Sequence, residues 1–201
     1  MNQIKSVYDN QTDIIKAIML LNNIESFDVD LTYGNGKFWT DLAQPTHCFD
    51  LEPLQPHVIQ ASSTNIPLAN QSAKNLIFDP PFLTYIKQGR KHNSIMGKRF
   101  SGYWSYKELQ DHYTQTLIDA HRVLVKKGFL VIKCQDIIHN HSMHATHINI
   151  LKWSENMFRL KDLFILTARH RLPMPEKVGE VKRQQRHARV HHSYFMVLEK
   201  L

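Results

Sequence analysis

Short apolar runs alternate with amphipathic stretches along most of the chain, and this alternation predicts strands that are followed by helices. The runs at 27–31, 46–50, 76–78 and 129–134 are typical of buried strands. Before the last run, a Ser-x-x-Glu capping pattern introduces a helix with apolar positions at Leu109, Tyr113, Leu117, Ala120 and Leu124. Alternating strands and helices predict an α/β fold with a doubly wound, mostly parallel sheet.

The C-terminal part of the chain continues this pattern. We predict a further helix at 143–157 and two closing strands at 160–168 and 193–198. No repeat, low-complexity tract or linker divides the sequence. The 201 residues are therefore expected to form a single domain, 1–201, with a sizeable core.

The segment with the clearest chemistry is Asp79-Pro80-Pro81-Phe82, which follows the apolar run at 76–78. Ligands of open α/β sheets bind at the carboxyl ends of strands. Two prolines make a rigid turn that cannot extend the sheet. The Asp79 carboxylate and the Pro80 carbonyl are two acceptors for the hydrogens of a conjugated amine, and Phe82 offers a ring for stacking. This arrangement suits methylation of such an amine.

A second candidate segment is the turn after the first predicted strand, where Asp30 precedes Gly34 and Gly36. Glycine allows a tight turn and a close approach of the backbone to a ligand. The third glycine of the dinucleotide fingerprint is missing near Trp39, which disfavours NAD. Asp50 ends the second strand twenty residues after Asp30, at the spacing of an acid that binds ribose hydroxyls, and Glu52 is the alternative.

Together these segments resemble the S-adenosylmethionine-dependent amino-methyltransferases, whose signature is Asp or Asn, Pro, Pro and an aromatic residue. The likeness is to small bacterial and phage DNA methyltransferases that act on adenine N6 or cytosine N4. It implies a Rossmann-like class I fold: a mostly parallel seven-stranded sheet with a C-terminal antiparallel hairpin. It also implies S-adenosylmethionine as the cofactor.

The resemblance assigns roles to individual residues. The expected catalytic residues are Asp79, Pro80, Pro81 and Phe82. The expected cofactor-binding residues are Asp30, Tyr33, Gly34, Gly36, Asp50, Ser62 and Asp79. Ser62 stands where the family usually carries an acid that contacts the adenine ring, and a serine makes a weaker hydrogen bond there.

Charge indicates a nucleic-acid substrate. The formal net charge is +7 and the sequence pI is about 9.4, with cationic residues clustered at 87–99 and 169–189. We expect an insertion at about 83–104 and a basic loop at about 171–190 to contact the substrate. The expected nucleic-acid contacts are Lys87, Arg90, Lys91, Lys98, Arg99, Tyr103 and Trp104.

The sequence leaves the substrate open between several possibilities. Adenine N6 in DNA is the first expectation, and an adenine or guanine amine in RNA is the alternative. The same turn also serves glutamine amides in proteins, but the basic charge argues against a protein substrate. A further alternative is a non-catalytic nucleic-acid-binding subunit that has the same fold.

Other classes of protein are disfavoured. No apolar run approaches the ~20 residues that span a bilayer, and no signal-peptide pattern is present. Cys48 and Cys134 fall in predicted strands and are expected to be reduced thiols of a cytoplasmic protein. The histidines at 139, 141, 144 and 147 lack a convincing set of partner ligands, so no metal site is expected. The oligomeric state is left open.

Overall fold

A computed structural model describes residues 3–84, 102–168 and 186–201 of the chain. Three α-helices lie in these residues: α1 (Gln11–Leu21), α2 (Tyr106–Val123) and α3 (Thr146–Trp153). A 3-10 helix spans Lys37–Trp39. Most of the strands belong to one sheet: β1 (Val7–Tyr8), β2 (Val29–Asp30), β3 (His47–Asp50), β4 (Ile59–Gln60), β5 (Ala73–Phe78), β6 (Leu124–Cys134), β9 (Phe158–Thr167) and β10 (His192–Lys200). A separate hairpin pairs β7 (Ile137–His139) with β8 (Ser142–His144).

The strand order of the sheet is β1-β9-β10-β6-β5-β2-β3-β4. Strands β4, β3, β2, β5 and β6 are parallel to one another, whereas β10 runs antiparallel to both β6 and β9. The predicted α/β class, the mostly parallel sheet and the C-terminal antiparallel pair are confirmed. Within the described residues, the sheet has one strand more than the predicted seven, because the polar N-terminal segment adds the two-residue β1 beside β9.

The core lies on both faces of the sheet, and β5 shows how the sequence produces it. Leu76 and Phe78 pack into one apolar cluster, and Ile77 between them packs into the other. All three side chains are fully buried. Side chains that alternate along a strand point to opposite faces, so a run with no polar residue indicates a strand covered on both sides.

The ends of α2 are capped by side chains far apart in sequence. Ser105 Oγ accepts the Glu108 backbone N–H at 3.2 Å, as the capping pattern predicted. At the other end, the Lys200 ammonium donates to the carbonyl oxygens of His121 and Leu124 at 2.6 and 2.7 Å. These contacts attach the helix to the last strand of the sheet.

The helix expected at 143–157 is shorter in the structure, because it begins at Thr146. The preceding residues form the β7–β8 hairpin, whose turn at Asn140 and His141 has positive φ at both residues. No helix in the described ranges is long and apolar enough to cross a membrane.

Candidate active site

The three acids selected from the sequence lie at one edge of the sheet. Strands β2, β3 and β5 are parallel neighbours, and their carboxyl ends lead to Asp30, Asp50 and Asp79. The parallel pairing of these strands therefore brings the three acids to a common edge. It is the edge at which open α/β sheets bind ligands.

The loop after β2 is attached to the end of β3 by backbone hydrogen bonds. The Gly34 N–H donates to Asp50 Oδ2 at 2.7 Å, and the Tyr33 N–H donates to the Phe49 carbonyl at 2.9 Å. The other oxygen of Asp50 accepts the Glu52 N–H at 2.9 Å. Asp50 is half-buried, so its carboxylate both orders the loop and lies at the surface of the site.

The two glycines of this loop have left-handed φ values of +58° at Gly34 and +73° at Gly36. Their surroundings differ. A Cβ at Gly34 would meet only the Thr32 carbonyl, at 3.9 Å, so a ligand can approach this backbone closely. A Cβ at Gly36 would lie 2.7 Å from the hydroxyl of Tyr33. Gly34 therefore leaves space for a ligand, and Gly36 allows the loop to pack.

Asp30 and Tyr33, which the sequence analysis assigned to cofactor binding, are both buried. Asp30 is 1% exposed, and its two carboxylate oxygens accept the Thr32 N–H at 2.8 Å and the Trp39 indole N–H at 2.7 Å. Burial raises its pKa to about 7. Tyr33 is also buried, and its hydroxyl donates to Gln44 Oε1 at 2.6 Å. Both residues shape the loop from inside the protein.

Ser62 lies beyond the end of β4, at the same edge as Asp50. Its Oγ accepts the Thr64 N–H at 3.2 Å and is 2.8 Å from Thr64 Oγ1. The Ala61 N–H donates to the Asp50 carbonyl at 2.9 Å, which attaches this turn to β3. In the structure Ser62 therefore organises a turn beside the loop.

Asp79 joins the glycine loop to the other half of the edge. Its backbone N–H donates to Thr32 Oγ1 at 2.7 Å, and its Oδ2 accepts from the Lys133 ammonium at 3.2 Å. The Asp79 side chain is 24% exposed. Burial raises the pKa of this carboxyl, and the charge and hydrogen bond of Lys133 act in the opposite direction.

The rest of the turn follows directly. Pro80 is buried, and Pro81 and Phe82 are half-buried. The Leu83 carbonyl accepts the Tyr103 N–H at 2.9 Å. Leu83 and Tyr103 are therefore neighbours beside the Asp79 turn.

An open cavity of about 500 Å³ lies on the far side of Asp79 from the glycine loop. It is bordered by the start of α1, the ends of β6 and β9 and the start of β10. The lining residues that matter for the chemistry are Asp9, Gln11, Phe82, Lys133, Gln135 and His192. The ring of Phe82 and the partner of Asp79 thus border the same space.

The expected nucleic-acid contacts are divided by the structure. Lys87, Arg90, Lys91, Lys98 and Arg99 lie outside the described residues. Tyr103 does not offer a stacking surface, because it is 7% exposed and its hydroxyl is hydrogen-bonded to His112 Nδ1. Trp104 beside it is 48% exposed.

Sequence reasoning missed Lys133 and Thr32 as functional positions. Lys133 is the one charged residue within the apolar run at 129–134, and that exception was a signal. Thr32 lies two residues after Asp30 in the loop, and no sequence motif marks its hydroxyl as functional. Within 3–84, 102–168 and 186–201, no group of three or more His, Cys, Asp or Glu side chains could hold a metal ion.

Comparison with solved structures identifies the fold. A methyltransferase dependent on S-adenosylmethionine from Methanosarcina mazei matches with a TM-score of 0.51 and 8% identity over 90% of this chain and 97% of the other. TrmN from Thermus thermophilus matches with a TM-score of 0.51 and 13% identity over 94% of this chain and 49% of the other. The cytosine-N4-specific PvuII DNA methyltransferase has a TM-score of 0.47 and 13% identity over 69% and 47%.

This chain spans about half the length of several of the matched proteins. No protein-family model matches the sequence, and no curated protein does either. At these identities the likeness concerns the fold alone. The chain has the Rossmann-like class I methyltransferase fold.

Proposed function

We propose that this protein is a methyltransferase that uses S-adenosylmethionine to methylate an exocyclic amine of a nucleobase, with adenine N6 in DNA as the first candidate. The observation that carries the proposal is the position of Asp79. Its backbone is hydrogen-bonded to the glycine loop through Thr32, and its carboxylate is paired with Lys133 at the cavity.

The glycine loop fits the proposed cofactor. Gly34 presents an open backbone face, and the half-buried carboxylate of Asp50 lies next to it. A strand-end acid beside a glycine turn suits the hydroxyls of a nucleoside ribose. When bound, S-adenosylmethionine supplies an electrophilic methyl group on a sulfonium. Gly34, Gly36 and Asp50 would hold this cofactor. The buried side chains of Asp30 and Tyr33 would support the loop through their hydrogen bonds.

The Asp79 turn supplies what a conjugated amine needs to react. The lone pair of such an amine is delocalised into its ring, so the nitrogen is a poor nucleophile. Acceptance of its hydrogens by the Asp79 carboxylate and the Pro80 carbonyl favours a tetrahedral nitrogen with a free lone pair. As the nitrogen–carbon bond forms, the carbon–sulfur bond breaks and the nitrogen loses a proton to Asp79 or to water.

A nucleobase fits the cavity beside this turn. The space of about 500 Å³ is bordered by the Phe82 ring, on which a flat heterocycle can stack. A base in a duplex would have to be flipped out of the stack to reach Asp79. The net charge of +7 favours a partner rich in phosphates.

The test is transfer of a tritium-labelled methyl group to unmethylated DNA, total RNA and cell lysate, followed by mass spectrometry of nucleosides. We expect label in N6-methyladenine of DNA. Label in an RNA nucleoside would support the RNA alternative instead. Tight nucleic-acid binding without any transfer would favour the non-catalytic subunit.

A single substitution tests the role of Asp79. Asp79→Ala is expected to abolish transfer while binding of S-adenosylmethionine, measured by calorimetry, stays near the wild-type value. Asp111→Ala, at an exposed position on α2, is the matched control and should leave both unchanged. Turnover retained in Asp79→Ala would remove that carboxylate from the mechanism.

A further inference from the structure

Lys133 occupies an unusual place for a lysine. It is the penultimate residue of β6, and its side chain is only 13% exposed. Its ammonium is 3.2 Å from Asp79 Oδ2 and 3.3 Å from Gln11 Oε1. It also lies 4.9 Å from the centre of the Phe38 ring and 5.7 Å from that of Phe195.

An ammonium in this position needs partners, because removing a charge from water costs several kcal/mol unless other groups compensate. The ammonium lies over the rings of Phe38 and Phe195, whose faces stabilise its charge. The carboxylate of Asp79 and the amide oxygen of Gln11 accept its hydrogen bonds. A lysine ammonium has only donors, so the Gln11 oxygen must be the atom that faces it.

The four partners of Lys133 come from four parts of the chain. Asp79 follows β5, Phe195 lies opposite Lys133 on β10, Gln11 begins α1, and Phe38 belongs to the 3-10 helix. Of these partners, Gln11 lines the cavity together with Lys133 itself. Lys133 therefore connects the Asp79 turn with the start of α1 at the proposed substrate site.

We propose that Lys133 is a positioning residue for methyl transfer, which holds the Asp79 carboxylate at the cavity as an ionised acceptor and couples it through Gln11 to α1. This proposal rests on the function proposed above. Asp79 can accept amine hydrogens with both oxygens only when it is ionised. Lys133 acts through Asp79 and needs no contact with the reacting atoms.

The expected direction of the effect follows from the charges around Asp79. Burial raises the pKa of the Asp79 carboxyl, and Lys133 lowers it. The other titratable groups near this part of the edge do not stabilise an ionised Asp79. The charge of Asp79 raises the pKa of the Asp30 carboxyl and of the Tyr113 phenol, because each of these groups becomes negative when it ionises. Asp9 and Asp13 on the cavity wall have the same sign. Loss of Lys133 should therefore raise the pKa of Asp79.

The experiment measures this pKa directly, by ¹³C NMR titration of side-chain carboxyls in the full chain, with the Asp79 signal assigned by its absence in Asp79→Asn. We expect a higher pKa in Lys133→Met and in Lys133→Gln, and a value near wild type in Lys133→Arg. Lys133→Gln keeps a hydrogen-bond donor without the charge, so it serves if the methionine variant does not fold. Lys126→Met, at an exposed position on the same strand, is the matched control.

The kinetic readout is the pH profile of methyl transfer. In Lys133→Met the acidic limb of the profile should move to higher pH by the amount found in the titration, so transfer falls more at pH 6 than at pH 9. In the Asp79→Asn background, the same substitution should leave the shape of any residual profile unchanged.

Two results would overturn the proposal: an Asp79 pKa that is the same in folded Lys133→Met and in wild type, or an equal loss of transfer at every pH. The first would leave Lys133 with a structural role alone. Failure of the proposed function has a different signature, since wild type would then transfer no methyl group while the NMR titration still reports the coupling.

Discussion

At the residue scale, the two glycines of the loop after β2 look equivalent in the sequence but have different surroundings in the structure. Both have positive φ, where a side chain costs on the order of 1 kcal/mol. Only Gly36 also faces a close neighbour, the ring of Tyr33. The loop therefore needs one glycine for its own packing and the other for what it binds.

Alanine at each glycine should separate these two needs. Gly36→Ala is expected to lose more stability for two reasons. The alanine would adopt a strained positive φ, and its Cβ would also clash with the Tyr33 hydroxyl. Gly34→Ala should lose about 1 kcal/mol of stability but show the larger loss of S-adenosylmethionine affinity. Urea denaturation and calorimetry measure the two quantities. Equal losses of stability in both variants would contradict this assignment.

Asp30 is a buried acid whose two carboxylate oxygens both accept hydrogen bonds. Oδ1 accepts the Thr32 N–H, and Oδ2 accepts the Trp39 indole N–H. Asp30→Asn removes the charge but places an amide NH₂ against one of these donors. We expect a loss of about 1–3 kcal/mol in unfolding free energy, the usual cost of an unsatisfied buried group.

The partner of Asp30 supplies the control for that substitution. In a Trp39→Phe background only the Thr32 donor remains, so asparagine can turn its oxygen toward it. The loss from Asp30→Asn should then be smaller than in wild type, as a double-mutant cycle would show. An Asp30→Asn variant as stable as wild type would show that the acid is not needed as a double acceptor.

At the scale of elements, a buried hydrogen-bond network connects α2 to the edge of the sheet. His112 on α2 contacts Ser63 Oγ through Nε2 at 2.8 Å and the Tyr103 hydroxyl through Nδ1. Ser63 Oγ is also 2.9 Å from Thr116 Oγ1. The network joins the turn beside Ser62 to Tyr103, whose backbone is hydrogen-bonded to Leu83.

This network should make stability depend on pH. Burial lowers the pKa of His112 from 6.5 to about 4, so the folded protein keeps the ring neutral. Between these values the unfolded chain binds a proton that the folded chain does not, and stability falls as pH falls from 6.5 toward 4. The limit of this contribution is about 3 kcal/mol.

The measurement is urea denaturation at several pH values in that window, in wild type and in His112→Asn. The stability advantage of wild type over the variant should shrink as pH falls. His141→Asn, at an exposed turn position with a φ that asparagine tolerates, is the control and should follow the wild-type curve. A constant advantage of wild type over His112→Asn would show that His112 does not titrate in this way.

At the scale of the whole molecule, the edge of the sheet is divided into two halves by Asp79. The glycine loop and Asp50 lie at β2 and β3, and the cavity lies at β6, β9 and β10. Ala168 lines the cavity, so the last described residue before the basic segment at 169–189 lies at the proposed substrate site.

The net charge of +7 predicts salt-dependent binding of nucleic acid. The logarithm of duplex affinity should fall linearly with the logarithm of salt concentration, with a slope of about −0.9 for each phosphate contacted. Replacing Lys87, Arg90 and Lys91 by alanine should make the slope shallower, as fluorescence anisotropy with a labelled duplex would show. The same change at exposed Lys16, Lys126 and Lys152 is the matched control, and an equal effect there would favour a diffuse charge effect.

The sequence by itself determined the α/β class, the mostly parallel sheet and the edge at which the three acids lie. These features follow from local patterns, because a short apolar run bounded by turn residues predicts a buried strand and its end without knowledge of the strands that it pairs with. The Asp79 turn and the glycine loop were recognisable for the same reason, since prolines and glycines restrict the backbone locally.

Tertiary structure alone decided which way the side chains of these segments face. Asp30 points into the core, Tyr103 is buried, and β1 forms with only two residues because β9 offers it a partner. Lys133 meets Asp79 across 54 positions of sequence. Contacts between residues so far apart depend on strand order and register, which no local periodicity encodes, and they decide which acid faces the substrate site.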